Sequence, residues 1–230
     1  MTGSGRDLGG VEVWVFDLDN TLYPASCRLF DQVEQRIGEF VAAHLGLDAV
    51  EARRVQKQYF HTYGTTMRGM MEHHGVTPDA FLDYVHAIDL SPVMASPALD
   101  TALDRLPGRK VVFTNGSTAH AERVLGRLGV RHHFDGIFDI VAADYVPKPE
   151  PVTYDRMVAR HGIAPRRAAM LDDLPRNLAP AAAMGMTTVL VKSDGDGAED
   201  GAEGDHIHHV TDDLVAWLEA AAPGPGAKSA

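Results

Sequence analysis

The stretch Val13–Pro24, VWVFDLDNTLYP, sets Val13, Trp14, Val15 and Phe16 directly against Asp17 and Asp19. An apolar run without alternation predicts a strand covered on both faces, at the centre of a parallel sheet. Burying such a strand beside two carboxylates is costly unless something offsets their charge. The question is what that something is.

The pattern changes after Pro24. Phe30, Val33, Ile37, Phe40 and Val41 recur at helical spacing, and Gly46 is placed to stop that helix. Asp48 reads as the N-cap of a second helix running toward Tyr59. TTMRGMMEHHG and TPDAFLDYVHAI predict two more, the latter with Thr77 at the cap and Pro78 in the first turn. No convincing strand falls between Phe30 and Ile88. From Ser96, read as a helix cap, strand and helix alternate: KVVFTNG, a helix capped by Ser117 and stopped by Gly129, GIFDIV, PVTYDRMVARHG, AAMLDD, NLAPAAAMG and TTVLV. SDGDGAEDGAEGD reads as a solvated loop, and TDDLVAWLEAA as a closing helix capped by Thr211. The expectation is an α/β fold with a doubly wound parallel sheet, Rossmann-like, carrying an inserted all-helical cap domain. Its boundaries are 11–24 and 96–221 for the catalytic core, 25–95 for the cap, and 1–10 and 222–230 for flexible termini.

Composition narrows the classes of function. The 230 residues are 45% hydrophobic, enough for one sizeable core and a smaller unit. A formal charge of −11 opposes adhesion to nucleic acid polymers or to an anionic membrane, so a phosphate-bearing ligand needs local positive charge. One cysteine, Cys27, excludes an internal disulfide framework and fits a reducing compartment. No apolar run reaches spanning length, and the first residues lack the apolar stretch of a secretory signal. A cytoplasmic monomer or homodimer is expected.

In an open parallel sheet, ligands bind beyond the carboxyl ends of the strands. Four separated segments deliver Asp17 and Asp19, Thr114 with Asn115, Lys148, and Asp172 with Asp173 to that edge. Four carboxylates so close repel unless a cation joins them or some take up protons. An all-oxygen site that completes its shell with substrate phosphate and water suits Mg2+. A metal and a lysine sharing the site would answer the opening question.

In order and spacing, DLDNT, TNGS, the KP of VPKPEP, and DDLPRN resemble the four motifs of the haloacid dehalogenase superfamily of aspartate-nucleophile phosphohydrolases. More narrowly, FDLDNTLYP, YGTTMRG, TNGSTAHAERVLGRLG and DDLPRNL are similar to the pyrimidine 5'-nucleotidase family. The resemblance implies that Asp17 attacks phosphorus and Asp19 serves as acid and base. Thr114, Asn115 and Lys148 would hold the phosphoryl group. Magnesium would sit on Asp17, the Asp19 main chain and Asp173, with Asp172 beside it and Asn177 in support. The implied substrate is a small phosphate monoester, most simply a nucleoside 5'-monophosphate. Tyr63, Thr65, Thr66 and Arg68 in the insert are candidates to reach base or sugar. Asn20, where many superfamily members have glycine, and Ser117 depart from the pattern without removing a catalytic group.

Simpler readings compete. A helix-flanked calcium loop starting at Asp17 wants glycine at its sixth position, where Leu22 stands. Thr114–Ser117 alone could be a turn and cap, Lys148 alone a solvated lysine, and Asp172 with Asp173 a polar loop start. The pairs His73/His74 and His132/His133, and His206, His208 and His209, lack a recognised metal-binding spacing and are assigned nothing. Met67, Met70 and Met71 read as packing. Two other functions fit the same fold: a sugar phosphomutase, and a non-catalytic nucleotide-binding protein.

Overall fold

The computed structural model describes residues 7–192 and 204–222. Among these, strand β1 (Val13–Phe16) lies inside a six-stranded sheet with β2 (Arg109–Phe113), β3 (Gly136–Phe138), β4 (Ala168–Asp172), β5 (Thr187–Val191) and β6 (His209–Thr211). The order is β3-β2-β1-β4-β5-β6 and every pairing is parallel. β1 pairs with β2 on one side and β4 on the other, so the strand order reverses there, and a crevice opens beyond the ends of β1 and β4.

No β1 residue is more than 6% exposed. Trp14 and Phe16 point into a cluster with α5 (Pro97–Arg105), α6 (Thr118–Leu128) and α9 (Leu214–Ala221), through Leu99, Leu103, Val124, Leu125 and Leu218. The Trp14 indole packs edge-on against Trp217 and donates to the Pro107 carbonyl at 2.7 Å. Val13 and Val15 point the other way, toward Tyr154 and Met157 of α7 (Pro151–His161) and Leu178 and Ala181 of α8 (Pro175–Ala183). Helices on both faces explain why β1 does not alternate.

The segment after β1 forms four helices: α1 (Leu29–Leu45), α2 (Ala49–Tyr63), α3 (Thr66–His74) and α4 (Pro78–Val85). They close around their own apolar cluster of Val41, Ala52, Met67, Met70, Phe81, Leu82 and Val85, so those two methionines are packing residues. Gly46 ends α1 in the left-handed conformation, and the Asp48 carboxylate accepts from the amides of Val50 and Glu51 to start α2. Asn20 has φ +60, a conformation asparagine tolerates better than most non-glycine residues, which explains how it replaces glycine in this turn.

Three local expectations change. GIFDIV pairs only as far as Phe138, because the Asp139 carboxylate turns away to accept from the amide and hydroxyl of Thr118 and the amide of Ala142. Strand β6 adds an edge in the histidine-rich stretch, where its pairing with β5 takes up the backbone of Val189–Val191. Thr211 does not cap α9: it ends β6, and Asp213 caps the helix by accepting from the Ala216 amide. Most of the acidic loop and most of both termini lie outside the described residues. No described helix is long and apolar enough to cross a membrane.

Gly108 fixes the entry to β2. Its φ is +87, and a Cβ there would stand 2.3 Å from the Glu12 carbonyl oxygen, against backbone that cannot yield. Gly108→Ala is expected to cost about 2 kcal/mol or more, read as a lowered urea midpoint with an unchanged slope.

Candidate active site

Asp17 follows the last residue of β1, and its amide donates to the Leu171 carbonyl at 2.9 Å, which fixes the backbone at the crevice. Lys148, only 1% exposed, sends its ammonium between two carboxylates: 2.7 Å to Asp17 Oδ1 and 2.7 Å to Asp172 Oδ2. Its third bond goes to the Phe113 carbonyl at 2.9 Å. Three donors thus meet three acceptors, as burial demands. Burial alone would lower the Lys148 ammonium, but Asp17 and Asp172 outweigh it and raise the group above its ordinary value. Burial pushes the Asp17 carboxyl up to about 7; Lys148 pulls it down and Asp172 pushes it further up.

The rest of Lys148 is held by Asn115. The Asn115 Oδ1 accepts from the Lys148 amide at 2.8 Å, and its Nδ2 donates to the Lys148 carbonyl at 3.3 Å. Thr114 Oγ1 accepts from the Gly116 amide at 2.9 Å, shaping the turn after β2. Asp172 engages both oxygens within the protein: Oδ2 meets Lys148, and Oδ1 accepts from the Leu174 amide and from Asn177 Nδ2, each at 2.9 Å. Asp173, by contrast, lines the cavity together with Asp17, Asp19, Thr114, Asn115 and Lys148. The two neighbouring aspartates therefore differ: Asp172 braces the lysine, and Asp173 borders the ligand space.

Carboxylate oxygens of Asp17, Asp172 and Asp173 lie within 4.8 Å of one another. Asn177 Oδ1 is a buried acceptor without a hydrogen-bond partner among the described residues, and Asn177 lines the same cavity. An all-oxygen set with net negative charge and a spare acceptor for a metal's water fits a magnesium-type cation. Asp100, His132 and His133 also gather, but Asp100 is partly and His132 largely open to water, and the geometry is that of a surface carboxylate hydrogen-bonded to His133 with His132 3.2 Å away.

Asp19 has partners that motif spacing does not reveal. Its Oδ1 accepts from His120 Nε2 at 2.9 Å and from the Tyr23 hydroxyl at 2.6 Å. Burial would raise the Asp19 carboxyl, yet His120 and Tyr23 bring it below its ordinary value. A general acid needs a raised group, so in the ligand-free site Asp19 stands ionised. An arriving phosphate dianion would push it upward by like-charge repulsion.

The cavity has a volume of about 570 Å³ and extends from these carboxylates into the insert. Phe30, Ile37, Phe60, Phe81, Leu82 and Val85 supply apolar wall, and Arg53 and Lys57 supply cations. The Arg176 guanidinium, at the start of α8, lies 4.0 Å over the Phe60 ring and so links core to insert. Thr65 and Thr66 line this space, but their hydroxyls serve local structure: Thr65 Oγ1 accepts from the Arg68 amide, and Thr66 Oγ1 donates to the Gln56 carbonyl. Tyr63 and Arg68 do not line it; the Tyr63 hydroxyl is turned to His73 Nε2.

The sequence model of the haloacid dehalogenase-like hydrolases matches residues 11–185. Phosphate metabolism protein 8 of Saccharomyces cerevisiae is 29% identical over 197 residues, covering 78% of this chain and 61% of the yeast protein. Fructose-1-phosphate phosphatase YqaB of Escherichia coli is 37% identical over 83 residues, 35% of this chain and 43% of that protein. The chain thus spans about three fifths of the first relative and less of the second. Among solved structures, CbbY from Rhodobacter sphaeroides, in complex with xylulose-1,5-bisphosphate, superposes with a TM-score of 0.63 at 20% identity, covering 88% of this chain and 94% of that one. An L-2-haloacid dehalogenase shares the fold at a TM-score of 0.57 and 16% identity, covering 91% of this chain and 99% of that one.

Removing the ammonium while keeping its volume, by Lys148→Met, leaves Asp17 facing Asp172 in a buried site. In metal-free protein the variant is expected to lose about 3–5 kcal/mol near pH 8. A carboxyl raised in the folded state binds more protons folded than unfolded, so its stability falls as pH rises through the interval between the two values. The deficit should therefore shrink from pH 8 to pH 5, as read by chemical denaturation at both.

Proposed function

The chain belongs to the haloacid dehalogenase-like hydrolase family, and we propose that it is a phosphatase acting on a small phosphate monoester through an aspartyl-phosphate. The observation that carries this reading is the buried Lys148 ammonium bonded to Asp17 beside the cavity-lining Asp19 and Asp173. In the first step a carboxylate oxygen of Asp17 attacks phosphorus, the ester P–O bond breaks, and Asp19 gives its proton to the leaving oxygen. In the second, water attacks the phosphorus of the acyl phosphate and passes its proton to Asp19. The P–O bond to Asp17 then breaks, releasing phosphate. Lys148 offsets charge at Asp17, and Thr114 with the turn at Asn115 cradles the phosphoryl oxygens. A divalent cation held by Asp17 and Asp173 would supply further positive charge for those oxygens and keep Asp17 ionised.

A nucleoside 5'-monophosphate is the substrate we propose. A cavity of about 570 Å³ with aromatic and aliphatic walls has room for a base and ribose beyond the phosphate. The relative named as a fructose-1-phosphate phosphatase supports hydrolysis of a phosphate ester, not the base.

Phosphate release across a panel of monophosphates, with magnesium and with a chelator, tests the reading. Release should require the metal and favour nucleotides over esters without an aromatic group. Asp17→Asn should stop release while leaving the thermal transition in place; full activity in that variant overturns the proposal. Transfer of the phosphoryl group to a sugar with little free phosphate would mark a mutase instead.

A further inference from the structure

His120 is the most deeply buried histidine in the described structure, 1% exposed, and it ends on a catalytic carboxylate. It lies in the first turn of α6, where Ser117 caps the helix by accepting from the His120 amide. Its ring stacks on His86 with centroids 4.4 Å apart and planes 9° from parallel. His86 follows α4, where the chain leaves the insert, and its Nδ1 lies 3.1 Å from Ser117 Oγ. Arg123, one turn along α6, donates to the carbonyls of His86 and Ile88 at 2.8 and 3.0 Å. The exit of the insert is therefore docked on α6, and the imidazole stack built at that joint terminates at Asp19.

We propose that His120, backed by His86, is a positioning residue that fixes the Asp19 carboxylate for proton transfer. The inference rests on the phosphatase reading above. Asp19 is acceptor-only when ionised, so the Nε2 that contacts it carries a hydrogen and donates. Both the His120 and the Tyr23 bonds fall on Oδ1, which leaves Oδ2 as the oxygen for the reacting proton. Without the imidazole the carboxylate can rotate about its side chain, and an acid displaced by even about one ångström loses much of its effect. His86 serves as a flat, uncharged backing: burial first, and then the neighbouring His120, hold its imidazole down at about 3.

A residue acting through the acid matters in proportion to how much the leaving oxygen needs a proton. p-Nitrophenyl phosphate needs little, and a nucleoside 5'-monophosphate or glycerol phosphate needs much. His120→Leu fills the space without a donor, and His120→Gln restores an N–H. His120→Leu is expected to lower kcat for the alkyl ester about tenfold more than for the aryl ester, with KM held within about twofold, and His120→Gln to recover part of the loss. Equal losses on both esters, or a loss seen only in KM, overturn the proposal. If neither His120 variant folds, His86→Leu, which removes the stacking face and keeps His120, must show the same split or the proposal fails. Wild-type protein that releases phosphate from neither ester ends the phosphatase reading and this inference together. Active wild type with indifferent variants ends this inference alone.

Discussion

One ammonium organises the crevice. Lys148 comes from a loop distant in sequence from both carboxylates, yet its three N–H bonds reach Asp17, Asp172 and the end of β2. Each partner stands at the carboxyl end of a different central strand. Taking any of these charges out of water alone would be prohibitive, and together they form a satisfied cluster. Both Asp172 oxygens are engaged within the protein, whereas Asp17, Asp19 and Asp173 border the cavity.

The same constraint separates what each of the paired acids can do. Asp17 is raised toward neutrality by burial and Asp172, whereas Asp19, two residues on, is lowered by donors from His120 and Tyr23. Two carboxylates on one short turn are thereby driven apart in proton affinity by their surroundings rather than by their chemistry. In the ligand-free site that divergence runs opposite to attack by Asp17 and proton donation by Asp19, so a cation at Asp17 and the charge of an arriving phosphate beside Asp19 would have to reverse it.

Much of this was legible in the sequence. The unbroken apolar run before Asp17 announced a central strand, and Ser96, Asp48 and Ser117 announced helix starts, because capping and two-sided burial are local or near-local constraints. The gathering of Asp17, Lys148 and Asp173 followed from their places at or just beyond the ends of predicted strands and from the order and spacing of the motifs. His120 and His86 were not legible, since their importance comes from a stack between residues 34 positions apart, and a histidine in a helix carries no mark of what it faces. The division of labour between Asp172 and Asp173 was equally hidden, being decided by which carboxylate points at Lys148. Tyr63 and Arg68, candidates from the insert, do not line the cavity, and the Tyr63 hydroxyl is taken up by His73.

The contact between Arg176 and Phe60 ties the wall that the insert gives the cavity to the helix beside the crevice. The guanidinium belongs to the residue beside Asn177, which steadies Asp172, while the ring belongs to the insert and forms part of the cavity wall. The guanidinium covers a face of a ring that also walls the cavity, so the insert's wall and the brace of the buried lysine meet through adjacent residues of one helix.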